Sequence, residues 1–436
     1  MDFDFGDLFT QSARQVIPLT QAKGLLFLFD YRGPVVHVDF DAQAMRRGLH
    51  RLFCAAVDVL HEGFVFFTAD VAQAGSGRYE LTISAACSGR TESNAEVAQV
   101  LQRLQLPILG TAAAEPGAID KATSARGTCP ATGGEMFYVS LPGEGSLFTL
   151  RISLPAQVSP EHETRVDARG AAAWLVSETP IAFSSMERRL HRLGWTTARF
   201  QSTEDAARAL ETLPAGARQP ALLVAQEGRT LTLARLRWLW ALMPASTQVV
   251  LATHLGSPTL ARPLSETDID VRVMPFSPSE LRDLTRSASL GASSRVMSLD
   301  SRSAPLGGAE RRKRALVVDD HPLNRLVATG MLQILGFDVD TAIDGLEAVE
   351  SCRREPPDLV LMDVQMPEMD GMEATRALRQ LQKAGNIPPF PIVAATAGFT
   401  DTSESDCLSA GMDGHLLKPL SVEQLGAEIR RVMATI

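Results

Sequence analysis

Five residues in the last quarter of the chain have the types and positions that phosphoryl chemistry needs. Asp319 and Asp320 follow one short apolar run, Asp363 ends a second, Thr396 ends a third and Lys418 follows a fourth. Three neighbouring carboxylates repel one another unless a hard cation lies among them, and magnesium (Mg2+) prefers such oxygen ligands. A carboxylate beside a metal, an ammonium and a hydroxyl can accept a phosphoryl group, because these groups neutralise the charge on its oxygens. The pattern predicts an aspartyl phosphate on one of these carboxylates.

The sequence of this last quarter of the chain also predicts the strands and helices that position these residues. Short apolar runs at 316–318, 359–362, 392–395 and 415–417 alternate with longer amphipathic segments. This alternation is typical of a parallel sheet covered by helices on both faces. In open α/β sheets the active site forms at the carboxyl ends of the strands. The five side chains are therefore expected to converge at one edge of the sheet.

Four segments of this region, VDDHPLNR, LMDVQMPEMDG, AATA and LLKP, resemble in sequence and order the receiver domains of two-component response regulators. The resemblance implies that Asp363 is the phosphoacceptor. It further implies that Asp320 and Asp363 ligate Mg2+ directly, Asp319 through water, and Gln365 through its backbone carbonyl. Strand-end turns that merely carry aspartates would explain the acidic residues, but not several motifs in register.

The resemblance also assigns a switch to this unit. Thr396 is expected to turn toward the phosphoryl group and Lys418 to pair with it. These movements would shift the face formed by the fourth helix, the fifth strand and the fifth helix of the receiver-like unit between two states. The switch position three residues before the lysine is usually Tyr or Phe in this family, and here it is His415. A half-buried structural histidine and a switch residue both remain open for this position.

An internal repeat lies upstream of the receiver-like unit. The aligned pairs of segments are 174–180 with 316–322, 190–195 with 332–337, 220–226 with 357–363, 249–254 with 392–397, and 271–281 with 415–425. A repeat at this spacing indicates two copies of one supersecondary unit. Both copies are predicted to be flavodoxin-like, doubly wound α/β domains with a parallel sheet.

The upstream copy lacks the residues for phosphoryl chemistry. Gln226 stands at the position of the phosphoacceptor, Met274 at that of the lysine, and Ser177 and Glu178 at those of the acidic pair. A glutamine amide cannot act as the phosphorylated nucleophile, and one remaining carboxylate is a poor Mg2+ site. The second unit is therefore expected to be a pseudo-receiver that serves packing and partner binding.

The first unit reads as an α+β sandwich. A helix is predicted from about residue 43 to 61, strands at 64–69 and 79–84, and two more strands around a Gly-rich turn within 133–155. This order resembles the ATP-binding domain of sensor histidine kinases. The resemblance implies a kinase ATPase-like scaffold.

The residues that this family uses to bind nucleotide are replaced here. Arg51 and Ala55 stand at the places of the paired asparagines, Ala85 at that of the adenine-binding Asp, and residues 87–89 read Cys-Ser-Gly in place of G-x-G. Residues 117–123 offer one glycine where a nucleotide loop needs several. A histidine kinase also needs a two-helix dimerisation hairpin with a histidine that is phosphorylated. Only about twenty residues precede the ATPase-like pattern here, and none of them is a histidine. We expect neither ATP binding nor autokinase activity from the first unit.

Composition excludes several other classes of protein. The net charge of -9 and the pI near 5.5 argue against direct nucleic-acid binding, which rests largely on Lys and Arg. Five scattered cysteines without a C-x-x-C pair favour a reducing, cytoplasmic environment. No apolar run approaches the roughly 20 residues that cross a bilayer, so membrane insertion is not expected.

These features divide the chain into predicted domains and linkers. They are a degenerate histidine-kinase ATPase-like domain at 1–156, a linker at 157–170, a pseudo-receiver at 171–286, a flexible linker at 287–313 and a receiver at 314–436.

The organisation predicts a two-component signalling protein, the remnant of a hybrid histidine kinase. It would accept a phosphoryl group on Asp363 from a partner histidine kinase or a histidine phosphotransfer protein. Because no DNA-binding domain follows the receiver, it would signal through contacts with a downstream protein. It would not itself be a kinase, beyond catalysing phosphorylation and dephosphorylation of its own aspartate. Two alternatives remain: an active hybrid sensor histidine kinase with unusual ATP contacts, and a scaffold in which phosphorylation plays no part.

Overall fold

The structure is a computed structural model that describes residues 2–75, 77–88, 94–111, 123–141, 145–158, 166–179, 183–214, 217–255, 257–261, 269–293, 313–396, 401–418 and 420–434. Within these residues the strands form three sheets, one of nine strands and two of five. In the described part of the chain, no helix has the length and apolar character needed to cross a membrane.

The first sheet is mixed, and it has helices on one face. Its main path runs β2-β4-β5-β9-β8-β7-β6, and β3 joins it through β9 and also pairs with β1. The strands are β1 Asp2–Asp4, β2 Leu26–Arg32, β3 Val36–Asp39, β4 Phe64–Gly75, β5 Arg78–Ser88, β6 Ile108–Thr111, β7 Thr123–Thr128, β8 Glu135–Leu141 and β9 Gly145–Val158. The helices are α1 Phe5–Ala22, α2 Ala42–Asp58 and α3 Asn94–Arg103.

Helices α1 and α2 pack on this sheet through aromatic side chains. The ring of Phe53 on α2 stacks on Phe67 of β4 with the centroids 4.1 Å apart, and Phe9 of α1 meets Phe53 edge-on at 5.7 Å. Such pairs add to the free energy gained from burying the rings. Side chains at the start of β4 are buried on both faces of the sheet, so something other than these helices covers the second face.

The second sheet is parallel throughout, in the order β11-β10-β12-β13-β14. Its strands are β10 Ala172–Val176, β11 Thr196–Phe200, β12 Pro220–Gln226, β13 Gln248–Thr253 and β14 Asp270–Val273. The helices are α4 Ser184–Arg192, α5 Thr203–Glu211, α6 Leu233–Leu242 and α7 Pro278–Ser293.

The third sheet has the same parallel order, β16-β15-β17-β18-β19. This is the flavodoxin-like arrangement, in which ligands meet the carboxyl ends of the strands. Its strands are β15 Arg314–Val318, β16 Asp338–Ala342, β17 Leu359–Asp363, β18 Ile392–Thr396 and β19 Gly414–Leu417. The helices are α8 Pro322–Ile334, α9 Gly345–Arg354, α10 Gly371–Lys383, α11 Asp401–Ala410 and α12 Val422–Met433.

Helix α7 differs from the sequence-based boundary. It continues to Ser293, beyond the domain end predicted at residue 286. Leu281, Leu284 and Ala288 are buried at helical spacing, so the packed face of α7 extends into the Ser/Ala-rich segment that resembled a linker. Residues 294–312, most of the second predicted linker, and residues 159–165, half of the first, lie outside the described residues.

Candidate functional site

The carboxyl edge of the third sheet brings the predicted acidic residues together. Asp319 follows β15 directly, and Asp363 is the last residue of β17. Carboxylate oxygens of Asp319, Asp320 and Asp363 lie within 4.8 Å of one another. Asp319 and Asp363 are buried and Asp320 is exposed, so two carboxylates of the cluster lie inside the fold and one faces solvent. This is the donor set that a hard divalent cation prefers.

Lys418 closes the inner side of this cluster. Its Nζ donates to Asp319 Oδ2 at 2.6 Å and to Asp363 Oδ2 at 2.9 Å. The Lys418 backbone N–H donates to the Thr396 carbonyl at 2.8 Å, which places the lysine beside the end of β18. A buried charge pair with charge-assisted hydrogen bonds depends on both partners, since either alone would be an uncompensated buried charge.

Burial changes the proton affinity of the site. Desolvation is the main cause that raises the pKa of Asp363 from 3.8 to about 6; Lys418 opposes this rise, whereas the charge of Asp319 adds to it. Burial acts to lower the pKa of Lys418, but the carboxylates of Asp363 and Asp319 outweigh it and raise that pKa. The lysine therefore stays charged, and Asp363 is a carboxylate at neutral pH with an unusually basic oxygen.

This pKa predicts a pH-dependent stability difference. The folded-state pKa of Asp363 lies above its ordinary value, so its contribution to stability is present below about pH 4 and is lost as the pH rises through about 6. An Asp363→Asn variant has no such loss. Without added metal, we expect it to be more stable than the wild type by about 3 kcal/mol at pH 7.5, and by much less at pH 4. Chemical denaturation at the two pH values measures this, and equal differences at both would contradict it.

Backbone contacts hold the turn between β15 and α8. The His321 N–H donates to Asp319 Oδ1 at 2.8 Å, and Arg325 Nη1 donates to the carbonyls of Asp319 at 2.6 Å and Asp320 at 2.8 Å. Sequence reasoning missed Arg325, because a bond from a helix side chain back to a preceding turn leaves no periodic signal. Arg325 thus positions the acidic pair from the first turns of α8.

Gly371 is a second residue that sequence reasoning missed. A Cβ there would lie 2.0 Å from the Asp363 carbonyl oxygen, and its N–H donates to the Val364 carbonyl at 3.1 Å. Helix α10 therefore starts against the strand end that carries Asp363. The available signal was Asp370-Gly371, in which Asp370 caps the helix by accepting from the Glu373 N–H at 2.8 Å.

A methyl group at this position is predicted to disturb the site. In Gly371→Ala the backbone at Asp363 must shift, so we expect a loss of about 1–3 kcal/mol in the free energy of unfolding and slower phosphoryl uptake. Gly426→Ala in α12 is the matched control, because its nearest neighbour at 3.0 Å is the end of the Leu335 side chain. Thermal unfolding and uptake rates measure both effects, and equal behaviour of the two variants would rule out the close approach as the cause.

The remaining predicted residues lie in different places. Thr396, at the end of β18, and Gln365 both line a cleft of about 650 Å³ that also borders Asp320. The backbone N–H of Gln365 donates to Asp363 Oδ1 at 3.4 Å. His415 is half-buried on β19, and its N–H donates to Glu428 of α12 at 3.2 Å. The cleft leaves this side of the acidic cluster open to solvent, and the backbone of His415 is hydrogen-bonded to the last helix.

At the corresponding edge of the second sheet, hydrogen bonds within the chain engage the polar groups. Ser177 donates to Gln226 Oε1 at 2.6 Å. Glu178 accepts from the Thr230 side chain and from the Thr230 and Leu231 N–H groups, which lowers its pKa to about 2. Glu227, which sequence reasoning did not single out, accepts from the hydroxyls of Thr253, Ser257 and Thr259. Among the described residues, the only cluster of three potential metal ligands is at the third sheet.

In the first unit, three of the replaced nucleotide positions, Ala55, Ala85 and Cys87, are part of the packed interior. Ala55 is buried in the core on α2. Cys87 is fully buried on β5, donates to the Ser146 carbonyl at 3.2 Å, and has its pKa raised to about 12 by burial. Residue 89 and residues 112–122, which include nearly all of the predicted glycine-poor loop, lie outside the described residues.

Comparisons with known proteins agree with the site. Residues 315–430 match the response regulator receiver domain family. The chain is 29% identical over 431 residues to the sensor protein GacS of Pseudomonas syringae pv. syringae, covering 97% of this chain and 46% of GacS. It is 30% identical over 302 residues to the sensor histidine kinase RcsC of Salmonella typhi, covering 67% of this chain and 28% of RcsC.

Among solved structures, the receiver domain of the sensor histidine kinase PA1611 from Pseudomonas aeruginosa PAO1 was crystallised with a magnesium ion in its active-site cleft. It is 35% identical and covers 28% of this chain and 99% of its own, with a TM-score of 0.26. The present chain spans about half the length of GacS and less of RcsC.

The fold, the acidic edge and the family match define a domain of the two-component signalling class. Residues 315–430 are a response regulator receiver domain, and the relatives that align with most of the chain are sensor histidine kinases.

Proposed function

We propose that this protein accepts a phosphoryl group on Asp363 from the phosphohistidine of a partner histidine kinase or histidine phosphotransfer protein. The observation that supports this most directly is the arrangement of one buried, basic carboxylate with two further carboxylates and an ammonium below an open cleft. Acidic turns with a purely structural role rarely combine a buried carboxylate of raised pKa, two further carboxylates, an ammonium and an open cleft.

The proposed transfer is a nucleophilic substitution at phosphorus. An oxygen of ionised Asp363 forms the new P–O bond while the P–N bond of the phosphohistidine breaks, and the departing imidazole keeps the electron pair of that bond. Lys418 Nζ, now shared between Asp319 and Asp363, is in position to contact a phosphoryl oxygen. The Thr396 hydroxyl is assigned to a second oxygen, because Thr396 borders the cleft.

We assign the Mg2+ site to Asp319, Asp320 and Asp363, with the backbone carbonyl of Gln365 as a further ligand. The three carboxylates fit this ion because their oxygens lie within 4.8 Å of one another. When bound, Mg2+ supplies positive charge that offsets the repulsion between the carboxylates and the phosphoryl oxygens.

The rest of the chain is proposed to support this event without kinase chemistry. We infer that 1–156 is an ATPase-like scaffold, 171–286 a pseudo-receiver and 314–436 the working receiver, with output through a downstream protein partner. The burial of Ala55 and Cys87 and the hydrogen-bonded second edge support this. The five cysteines are free thiols, four of them buried, which fits the reducing cytoplasm proposed as its location.

An active hybrid sensor kinase is the second candidate, because sensor kinases align along 97% of the chain. Titration of the full chain with a fluorescent ATP analogue separates the two: the acceptor proposal expects no saturable binding at millimolar nucleotide. Saturable binding together with label transfer from ATP would favour the kinase. A phosphorylation-independent scaffold would instead keep its signalling output when Asp363 is replaced by Asn.

The proposal is tested by incubating the full chain with Mg2+ and acetyl phosphate and recording the intact mass. We expect one added phosphoryl group that hydroxylamine removes, since hydroxylamine cleaves acyl phosphates. A phosphoryl group that resists hydroxylamine would place it on a hydroxyl residue and overturn the assignment.

A further inference from the structure

The receiver covers the part of the second face of the nine-stranded sheet that is formed by β2, β4, β5 and β9. Phe64, Phe66 and Leu28 of this face are at most 2% exposed, and they share one hydrophobic cluster with Val327 and Met331 of α8. The contact explains why the start of β4 is buried on both sides. The receiver is thus packed against the first unit through the helix that follows its acidic pair.

Gly330 on α8 permits this contact. A Cβ at Gly330 would lie 2.5 Å from Phe64 Cε2 and 2.8 Å from Cζ. A glycine inside a helix lowers helix stability by up to about 1 kcal/mol relative to alanine. The receiver alone gives no reason for this cost, whereas close packing on Phe64 does.

Polar groups on the same side of α8 as Gly330 are also buried, and they have no partner. Thr329 and Gln333 are each 1% exposed. Neither Thr329 Oγ1 nor the two amide atoms of Gln333 has a hydrogen-bond partner in the part of the chain that the structure describes. Gln333 lies three residues after Gly330 and four after Thr329, so these residues share one side of α8. Because unpaired buried polar groups oppose burial, the contact is weaker than its apolar residues alone would make it.

The contact is connected to the phosphorylation site by a short path. Leu420 and Val422, just after Lys418, pack against the same hydrophobic cluster. A cavity of about 20 Å³, lined by Asp319, Val327, Lys418 and Leu420 among others, lies between the ion pair and α8. This volume is close to that of one water molecule, so the segment after Lys418 has room to move in an otherwise dense interior.

We propose that this face of the first sheet is a docking surface for the chain's own receiver, and that phosphorylation of Asp363 releases it. The inference rests on the proposed function. When Lys418 pairs with a phosphoryl oxygen instead of Asp319, the segment carrying Leu420 and Val422 moves and its packing on α8 weakens. Release lets Thr329 and Gln333 reach water and frees the apolar face of the sheet for the downstream partner.

The test is hydrogen–deuterium exchange on the full chain with Mg2+, before and after acetyl phosphate, with intact mass recorded on the same samples. We expect faster amide exchange in the second half of α8 and in β4 once the phosphoryl group is present. Unchanged exchange in a sample that carries the phosphoryl group overturns the release and leaves the proposed function intact. A sample that takes up no phosphoryl group overturns both.

Two variants separate the contact from other effects of phosphorylation. Gln333→Leu removes the unpaired amide, so opening in the phosphorylated protein should fall about tenfold. Gln380→Leu, on an exposed position of α10, is the matched control and should leave it unchanged. Gly330→Ala should open the contact without phosphorylation, whereas Gly426→Ala should not. If Gln333→Leu and its control behave alike, the unpaired amide does not weaken the contact and the proposal fails.

Discussion

Asp363→Asn is expected to abolish phosphoryl uptake from acetyl phosphate while leaving a folded protein. The amide is close in size to the carboxylate and can still accept a hydrogen bond from Lys418, whose Nζ lies 2.9 Å from the Asp363 oxygen. It cannot serve as the nucleophile, because an amide lacks the ionised oxygen that forms the P–O bond. Intact mass after incubation with Mg2+ and acetyl phosphate measures the effect, with circular dichroism reporting the fold.

The matched control is Asp340→Asn. Asp340 is exposed and forms an ion pair with Arg314 away from the acidic cluster, and exposed pairs contribute little to stability. We expect this variant to take up the same phosphoryl group as the wild type. Equal uptake by Asp363→Asn would move the acceptor to another residue, and loss in both variants would point to general damage.

Lys418→Met is expected to have the largest effect on stability. The substitution keeps much of the side-chain volume but leaves Asp319 and Asp363 without the cation that now lies 2.6 Å and 2.9 Å from their oxygens. Removing one partner of a buried charge pair costs about 3–5 kcal/mol, so we expect a loss of that order at pH 7.5 without metal. Added Mg2+ should stabilise this variant more than the wild type, because it replaces the missing positive charge among the carboxylates.

Urea denaturation with and without Mg2+ measures these changes. Lys383→Met, at an exposed position in the last turn of α10, is the control and should behave like the wild type. We also expect Lys418→Met to lose the phosphorylation-dependent change in amide exchange of α8, because Lys418 is the first residue on the path from the site to the docking surface. A variant as stable as the wild type in the absence of metal would show that the ion pair does not hold the site together.

The site could be predicted because its residues are tied to strand ends. In a parallel sheet the order of apolar runs fixes which residues leave at the carboxyl edge, so Asp319, Asp363 and Thr396 are brought together by topology alone. Gly371 and Arg325 could not be found in this way. The pair Asp370-Gly371 marks the start of a helix, but the close approach of Gly371 to Asp363 and the bonds of Arg325 depend on distances between elements, which residue types alone do not give.

The covering of the first sheet is a second feature that the sequence did not reveal. The continuous apolar run FVFF at the start of β4 indicates burial on both faces, but it does not show which element covers the second face. Polar side chains such as Thr329 and Gln333 usually face water, yet both are buried on the side of α8 that carries Gly330. Their burial depends on tertiary packing, and their unpaired atoms make it unfavourable.

The internal repeat predicted the strand order of the second unit, but not all of the hydrogen bonds at its sheet edge. The order of its aligned segments agrees with the observed strand order, which matches that of the receiver. The replacement at Gln226 was visible in the sequence, but the role of Glu227 was not. Its carboxylate accepts from three hydroxyls, of which two follow β13 in a turn that no repeat alignment included.

The central claim is that Asp363 carries the phosphoryl group, and mapping the modified residue tests it most directly. The full chain is phosphorylated by acetyl phosphate with Mg2+, reduced with borohydride, which converts an aspartyl phosphate to homoserine, and digested for mass spectrometry. We expect homoserine at position 363 and at no other aspartate. Homoserine at Asp319, Asp320 or a residue outside the third sheet, with Asp363 intact, would contradict the account.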